Sequence, residues 1–339
     1  MTAVATARTG LQPLVPGGVL AFDAGNSKTD VALVAADGSV LGTARGGGFE
    51  PHVIGPTAAV QALVPLVEAA ADAAGLDISS GVLVQQISAC LANADLPIEE
   101  ERLAEAFRSH AWADEVHVAN DTFALLRAGV DEPRGVAVVC GAGINCAGLL
   151  PDGRTARFAA VGRISGDWGG GQQLADEAYA AAARADDGRG PATALATVLP
   201  EHFGVASVSA LIEALHLGDI PYARRLEATP LLFQVAASGD EVASAVVRRQ
   251  AEEVVAMAVV ALRRLDLLNE PADVVLGGGV LTSGHRQLMD TIESLLAAQA
   301  PKAVPRVVAV PPVVGAALLG LDRTGATASA HSNLRAAYS

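Results

Sequence analysis

One order of elements occurs twice in this chain: an apolar strand, a glycine-bearing turn, a second strand and then an Asp-Gly turn. The first copy places strands over 19–24 and 30–35 around Gly25-Asn26-Ser27-Lys28-Thr29, followed by Asp37-Gly38. In the second, 135–140 is apolar, Gly141-Ala142-Gly143-Ile144-Asn145 turns, 146–150 is a strand and Asp152-Gly153 turns again. An Asp-Gly pair between apolar runs marks a hairpin, because such turns need positive φ at their central residues. A tandem pair of glycine hairpins is much rarer by chance than one. The repeat therefore predicts an α/β fold of two similar lobes that face each other across a cleft.

The chemistry of the first turn suits phosphate. Gly25 permits backbone angles that a side chain forbids, successive N–H groups can converge on an anion, and Asn26, Ser27 and Thr29 add neutral donors. Lys28 is one of only two lysines in a chain that otherwise takes its positive charge from arginine. Asp23, at the end of the first strand, is placed to face a magnesium ion through water. The same residues also fit an ordinary β-hairpin whose turn is polar.

With 339 residues, 51% of them hydrophobic, the chain can bury a large core and form two domains of ordinary size. Its net charge of -14 argues against nonspecific binding to nucleic acid or to an anionic membrane, so any anion site is local. Residues 1–18, rich in Ala, Thr, Pro and Gly, lack the continuous apolar core of a signal peptide and read as a flexible tail. No stretch of transmembrane length is free of charge and of Gly or Pro clusters. Cys90, Cys140 and Cys146 read as buried small hydrophobes in a reducing cytoplasm.

Around the hairpins the pattern alternates helix and strand. It predicts a third meander strand over 40–44, a helix over 57–74 with Thr57 as N-cap and Pro65 as a kink or break, and a strand over 81–89. A helix over 98–109 with glutamates at its start and a strand over 115–119 follow. Further helices are expected over 170–185, 207–217 and 240–268, with the 188–193 segment read as loop plus helix cap. A strand over 273–276 enters Gly277-Gly278-Gly279, and helix resumes over 280–296 about the Thr282-Ser283-Gly284 turn. The last strand is expected over 307–310 and the last helix over 313–321, after Pro311-Pro312.

Four features thus fall in a fixed order: the 23–29 hairpin, Asn120-Asp121 after a strand, the 141–145 hairpin and a triple glycine at a strand end. Together they resemble the sugar kinase, hexokinase, actin and Hsp70 superfamily over residues 19–323. In closer detail the chain resembles the N-acetylglucosamine and glucosamine kinase branch of the BadF/BadG/BcrA/BcrD ATPases. The resemblance implies a two-lobed actin-like ATPase fold, duplicated ribonuclease H-like domains with a nucleotide cleft between the lobes. On that reading 1–18 is a tail, 19–122 the N-terminal lobe and 123–310 the C-terminal lobe. Residues 311–325 form a helix packing back on the N-terminal lobe, and 326–339 are a second flexible tail.

The resemblance also implies ATP and Mg2+ as cofactors. Gly25, Asn26, Ser27, Lys28 and Thr29 would grip phosphate from one lobe, and Gly141, Ala142, Gly143 and Asn145 from the other. Phosphoryl transfer needs positioning and charge neutralisation more than covalent help, which two such loops plus magnesium held by Asp23 supply. Gly277, Gly278 and Gly279 resemble the adenosine motif, with a plain strand-to-helix connection as the other reading. Asp121 stands where that superfamily places the carboxylate that orients and deprotonates the attacking sugar hydroxyl. Its bland alternative is a cap for the helix over 122–128.

Gly48, Phe49, Glu50, His52, Asn120, Asp121, Gly166, Asp167 and Trp168 fall at the family's sugar-contacting positions. Two departures qualify the match. Trp168 replaces the usual Glu after Asp167, and suits either stacking on a sugar face or a buried core position. Phe49, Glu50 and His52 stand where relatives that bind acetylated amino sugars place an Asn. Glu50 suits a free ammonium, which would favour glucosamine, and equally an exposed loop acid. The resemblance therefore implies a cytoplasmic, homodimeric, ATP-dependent kinase acting on glucosamine or N-acetylglucosamine at the 6-hydroxyl. Its alternatives are an ATPase activator of a 2-hydroxyacyl-CoA dehydratase, with Cys140 and Cys146 on an iron–sulfur cluster, and a nonenzymatic ATP-binding regulator.

Overall fold

The computed structural model describes residues 13–339, so the first twelve residues of the expected tail lie outside it. In chain order come β1 (Val15–Ala24), β2 (Thr29–Val34), β3 (Val40–Gly46), α1 (Pro51–Ile54), α2 (Pro56–Gln61), α3 (Val64–Ala73), β4 (Val84–Leu91), α4 (Pro97–Arg108), β5 (Ala113–Asn120) and α5 (Asp121–Gly129). Then follow β6 (Gly135–Cys140), β7 (Ile144–Leu149), β8 (Thr155–Arg157), α6 (Gly171–Asp186), α7 (Leu195–Phe203), α8 (Val208–Leu217), α9 (Ala228–Ala237) and α10 (Glu241–Arg264). The chain ends with β9 (Ala272–Gly277), α11 (Gly279–Thr282), α12 (Arg286–Gln299), β10 (Ala303–Val307), α13 (Pro312–Thr324) and α14 (Ala328–Ala336). Residues Arg134–Val308 form one compact unit, and the described residues on either side form the other.

The first unit is built on a five-stranded sheet in the order β3-β2-β1-β4-β5. β1, β2 and β3 are antiparallel neighbours, whereas β4 and β5 join in parallel. β1 reads as a continuous apolar run because both faces of the sheet are covered. Leu20 and Phe22 point into a core with Val60, Val67, Leu103 and Phe107. Val19 and Ala21 point the other way, onto Val314 and Leu318 of α13. Each fully buried side chain of this kind contributes about 1.5–3 kcal/mol. α13 approaches closely because it is bare where it crosses its neighbours: a Cβ at Gly315 would lie 1.8 Å from the Ala124 carbonyl oxygen.

The far end of α5 is tied down by charge. Arg127 is almost fully buried and bonds both carboxylate oxygens of Asp322, at 2.8 and 3.1 Å. Arg335 of α14 donates to the carbonyls of Arg127, Ala128 and Val130, which closes the last turn of α5. A buried ion pair is worth having only when such extra bonds complete it.

The second unit repeats the plan, with strand order β10-β9-β6-β7-β8 and the same pairing senses. Its core runs from Val136, Val138, Val274 and Leu276 of the sheet to Val247, Val254 and Leu262 of α10. Asp240 caps α10 through the Ala243 N–H at 2.9 Å, and also accepts from Thr193 Oγ1 and the Ala194 N–H. The 188–193 segment thereby acquires a partner, since Thr193 ties the start of α7 to α10.

Several expectations change. β1 starts at Val15, so 15–18 are strand and not tail, and 328–336 form α14 where a flexible tail was expected. The first unit continues through α5 to Pro133, past the boundary expected at 122. The helix expected over 57–74 is two helices, with Gly55 and not Thr57 at the N-cap of α2 and Pro65 in the first turn of α3. The last strand is Ala303–Val307 and not 307–310. β10 lies at the sheet edge, a position where a proline such as Pro305 is tolerated.

Candidate active site

Because β1, β4 and β5 run parallel, Ala24, Leu91 and Asn120 sit in one row at their carboxyl ends. Ligands in α/β sheets bind outside such ends. Asn120 is the N-cap of α5: its Oδ1 accepts from the Thr122 N–H at 2.9 Å, and its amide donates to Asp95 Oδ1 at 2.8 Å. The capping role weighed for Asp121 therefore belongs to Asn120. Asp121 opens the first turn of α5 with its carboxyl pushed up to about 6 by burial, against the pull of its own and the Thr122 N–H groups.

Asp23 is only 9% exposed. Burial, with the negative charges of Asp121 and Asp30, pushes its carboxyl up to about 7, while Lys28 and Arg45 pull it down. Those cations lean on Asp30, which Arg45 meets at 2.5 and 3.1 Å and Lys28 at 3.5 Å. A nearly buried carboxylate among other carboxylates is short of positive charge, and its hard oxygen donors suit a divalent cation such as Mg2+. Among the described residues no three or more His, Cys, Asp or Glu side chains converge as a metal cage. Mg2+ needs none, since it usually keeps waters and shares one or two carboxylates with substrate phosphates.

The β1–β2 turn is braced from two sides. Asn93, at φ 60, donates to Asn26 Oδ1 at 2.7 Å, and the Phe49 N–H donates to the Gly25 carbonyl at 2.9 Å. A Cβ at Gly48 would lie 2.1 Å from the Asn26 carbonyl oxygen, so the glycine run before Phe49 lies directly on the turn. Phe49 itself is a core ring at 2% exposure, and only its backbone reaches the turn. Glu50 and His52 are exposed at the start of α1, and Glu50 lines a 240 Å³ hollow with Gly47, Gly48, Ile54 and Leu63. Thr29 is fully buried, with its hydroxyl unpartnered inside the sheet and not displayed on the turn.

In the second unit, the turn after β6 closes through the Gly141 N–H on the Gly143 carbonyl at 3.0 Å. A Cβ at either glycine would meet open space, and neither has positive φ. Neither packing nor backbone conformation requires these residues to be bare. Gly278 differs: at φ +84, its Cβ would lie 2.5 Å from the Cys140 backbone, so the strand-to-helix connection itself needs glycine there. Asn145 turns its Oδ1 onto the Cys146 N–H at 2.7 Å.

The segment after β8 is laced to the same turn. The Gly171 and Gln172 N–H groups donate to the Gly141 and Ala142 carbonyls at 2.8 and 3.0 Å. Asp167 accepts from the Gly162 N–H at 2.9 Å and from Ser165 Oγ at 2.6 Å, next to Gly166 at φ +87. It lines a 430 Å³ cavity with Gly143, Arg163, Gln172 and Glu177. Trp168 is a core residue, 8% exposed, with the Arg249 guanidinium 4.1 Å above its ring. Burial and that cover favour the packing reading of the ring.

Sequence reasoning missed Asn93 and Asp95, which brace Asn26 and Asn120. Their signal is the Asn-Ala-Asp run directly after an apolar strand. Cys140 and Cys146 are fully buried, and burial pushes the Cys140 thiol up to about 12 and the Cys146 thiol up as well. Both side chains pack inside the hydrophobic core of the second unit.

Residues 20–320 match the BadF/BadG/BcrA/BcrD ATPase family, and the chain belongs to it. Its fold is the actin-like ATPase fold of sugar kinases. A candidate N-acetylglucosamine kinase from Chromobacterium violaceum superposes with a TM-score of 0.68 at 26% identity, over 89% of this chain and 98% of that one. A glucokinase of Streptomyces griseus, solved with glucose and AMPPNP, shares the fold at a TM-score of 0.55 and 19% identity, over 89% and 98% of the two chains. By sequence, the chain is 25% identical to the N-acetylmuramic acid/N-acetylglucosamine kinase of Clostridium acetobutylicum, over 84% of this chain and 92% of that protein. No single helix among the described residues is long and apolar enough to cross a membrane.

Proposed function

We propose that this protein is an ATP-dependent kinase that phosphorylates an amino sugar, N-acetylglucosamine or glucosamine, at its 6-hydroxyl. The observation that carries the reading is Asp121, relieved of capping by Asn120 and raised to about 6, near the operating pH at which a general base works best. Its carboxylate accepts the proton of the attacking hydroxyl. Asp23 would hold Mg2+ through water, and that ion, when bound, offsets phosphate charge. The bare β6–β7 turn and the β1–β2 turn supply backbone donors to phosphate, and the Gly278 connection lies against the nucleoside. Asp167 and the cavity it lines beside Gly143 orient the sugar. The kinase names of relatives spanning most of the chain support the reading, and the buried thiols disfavour the dehydratase activator. A homodimer in the cytoplasm completes the proposal.

ADP release tests it, measured with Mg2+ and ATP across glucosamine, N-acetylglucosamine, N-acetylmuramic acid, N-acetylmannosamine, glucose and no sugar. Strong stimulation by an amino sugar is expected. Hydrolysis indifferent to every sugar would sink the kinase reading in favour of an ATPase or a regulator.

A further inference from the structure

Two buried polar side chains converge on one glycine segment of the second unit. Gln250 lies on α10, fully buried beside Val247, Ala251 and Val254, and its Oε1 accepts from the Gly170 N–H at 2.9 Å. Thr229, 8% exposed near the start of α9, donates through Oγ1 to the Gly171 carbonyl at 2.7 Å. An amide or hydroxyl buried in an apolar helix face is disfavoured unless it is hydrogen-bonded, so the held segment explains the Thr229 hydroxyl and the Gln250 Oε1, while the Gln250 Nε2 is buried beside Gly169 without a hydrogen-bond partner. The fit is tight. A Cβ at Gly169 would lie 2.7 Å from Gln250 Oε1, and one at Gly170 would lie 2.4 Å from the Gly143 backbone. The segment in turn donates to the carbonyls of Gly141 and Ala142 and carries Asp167 two residues upstream of Gly169.

We infer that Gln250 and Thr229 are positioning residues for phosphoryl transfer, a two-point clamp that holds the 169–171 segment against the β6–β7 turn. The inference rests on the kinase reading. Neither side chain touches substrate; each acts through backbone that connects the Asp167 loop to the turn assigned to phosphate. With the clamp intact, the two loops keep one register. With it broken, the turn loses its backing, ATP is held less well and hydrolysis no longer waits for sugar.

The test uses the full chain and four readouts: sugar-dependent ADP release, sugar-independent ADP release, affinity for a fluorescent ATP analogue and Tm. Gln250→Met keeps length and loses the acceptor; Thr229→Val keeps shape and loses the donor; Thr229→Ser restores it. Each loss is expected to lower kcat/KM for ATP about tenfold or more, since small misplacements of positioned groups cost that much. The sugar-independent share of turnover should rise, and Thr229→Ser should recover most of the loss. The double variant should lose less than the product of the two, because both act on one segment. The clamp is overturned if activity per folded molecule is unchanged in the Val and Met variants, or if Ser fails to rescue. Should Gln250→Met not fold, the Thr229 pair decides alone. A wild-type protein without sugar-dependent turnover defeats the kinase reading instead, and analogue affinity in the Thr229 pair then decides the clamp separately.

Discussion

In the β1–β2 hairpin the cross-strand pair one step before the closing pair is Asp23 and Asp30; in the β6–β7 hairpin the same step holds Val139 and Asn145. The neighbouring parallel strand sets Cys90 beside Asp23, and Gly277 beside Val139. The two sheets share strand order and pairing senses, so the scaffold is duplicated while its chemistry is not. One hairpin pairs two carboxylates, and Asp23 of the pair holds its proton unusually tightly. The other offers bare backbone around open space. Duplication of the strand plan therefore leaves each hairpin free to carry its own chemistry.

The division is most sharply tested at Asp121. Asp121→Asn should lower kcat about a thousandfold, the loss expected of a general base, with ATP-analogue affinity within about threefold of wild type. Equal loss of turnover and affinity would place Asp121 in binding and undo the contrast.

Asp23 offers a second break, in stability. Its folded pKa of about 7 lies above an ordinary 3.8, so the folded state binds the proton more tightly. The resulting stabilisation is complete below pH 4 and is lost as pH rises through 7. Without nucleotide and Mg2+, wild-type stability should fall across that window by up to about 4 kcal/mol. Asp121, also raised, adds in the same direction. Asp23→Asn should flatten most of the slope, giving a higher Tm than wild type at pH 8 and none of that advantage at pH 4. An unchanged slope in thermal melts would mean that the carboxylate is not strained. The second hairpin, with Val139 at that step, contributes no such slope.

A smaller effect probes the bare turn. Gly143→Val fills space that the protein leaves open, so Tm should move by no more than about 2 °C while KM for ATP rises about tenfold. A drop in Tm without a change in KM would make the glycine structural.

Much of this arrangement can be read in the chain before any coordinates. Strand–turn–strand periodicity and Asp-Gly turns are local signals, and so both hairpins and the long α10 are legible. What is not legible depends on tertiary context. Adjacent Asn120 and Asp121 are both good cap formers, and only the path of β5 into α5 decides that Asn120 takes the Thr122 N–H. The aromatic rings of Phe49 and Trp168 carry no mark of burial in their neighbours; Arg249, 81 positions away, is what covers Trp168. Asn93 and Asp95 act on Asn26 and Asn120, far away in sequence, so their roles appear only once the sheet is registered. Pro305 argues against a strand until the edge position of β10 is known.

Lys28 should give the smallest effect, and it refines the contrast. A lone lysine in a phosphate-suited turn invites the reading that it grips ATP, yet its ammonium already leans on Asp30, where Arg45 is the closer cation. With Arg45 still bonded to the buried Asp30, loss of the exposed Lys28 ammonium costs under about 1 kcal/mol, so Lys28→Ala should leave Tm within about 2 °C of wild type. Its charge nevertheless lowers the pKa of Asp23, and removing it should move the acidic limb of Mg2+-dependent turnover to higher pH. KM for ATP should rise only about threefold, because the backbone donors remain. A loss of a hundredfold or more in kcat/KM would instead make Lys28 a direct phosphate ligand, and the first hairpin would then hold the nucleotide by charge as well as by its amides.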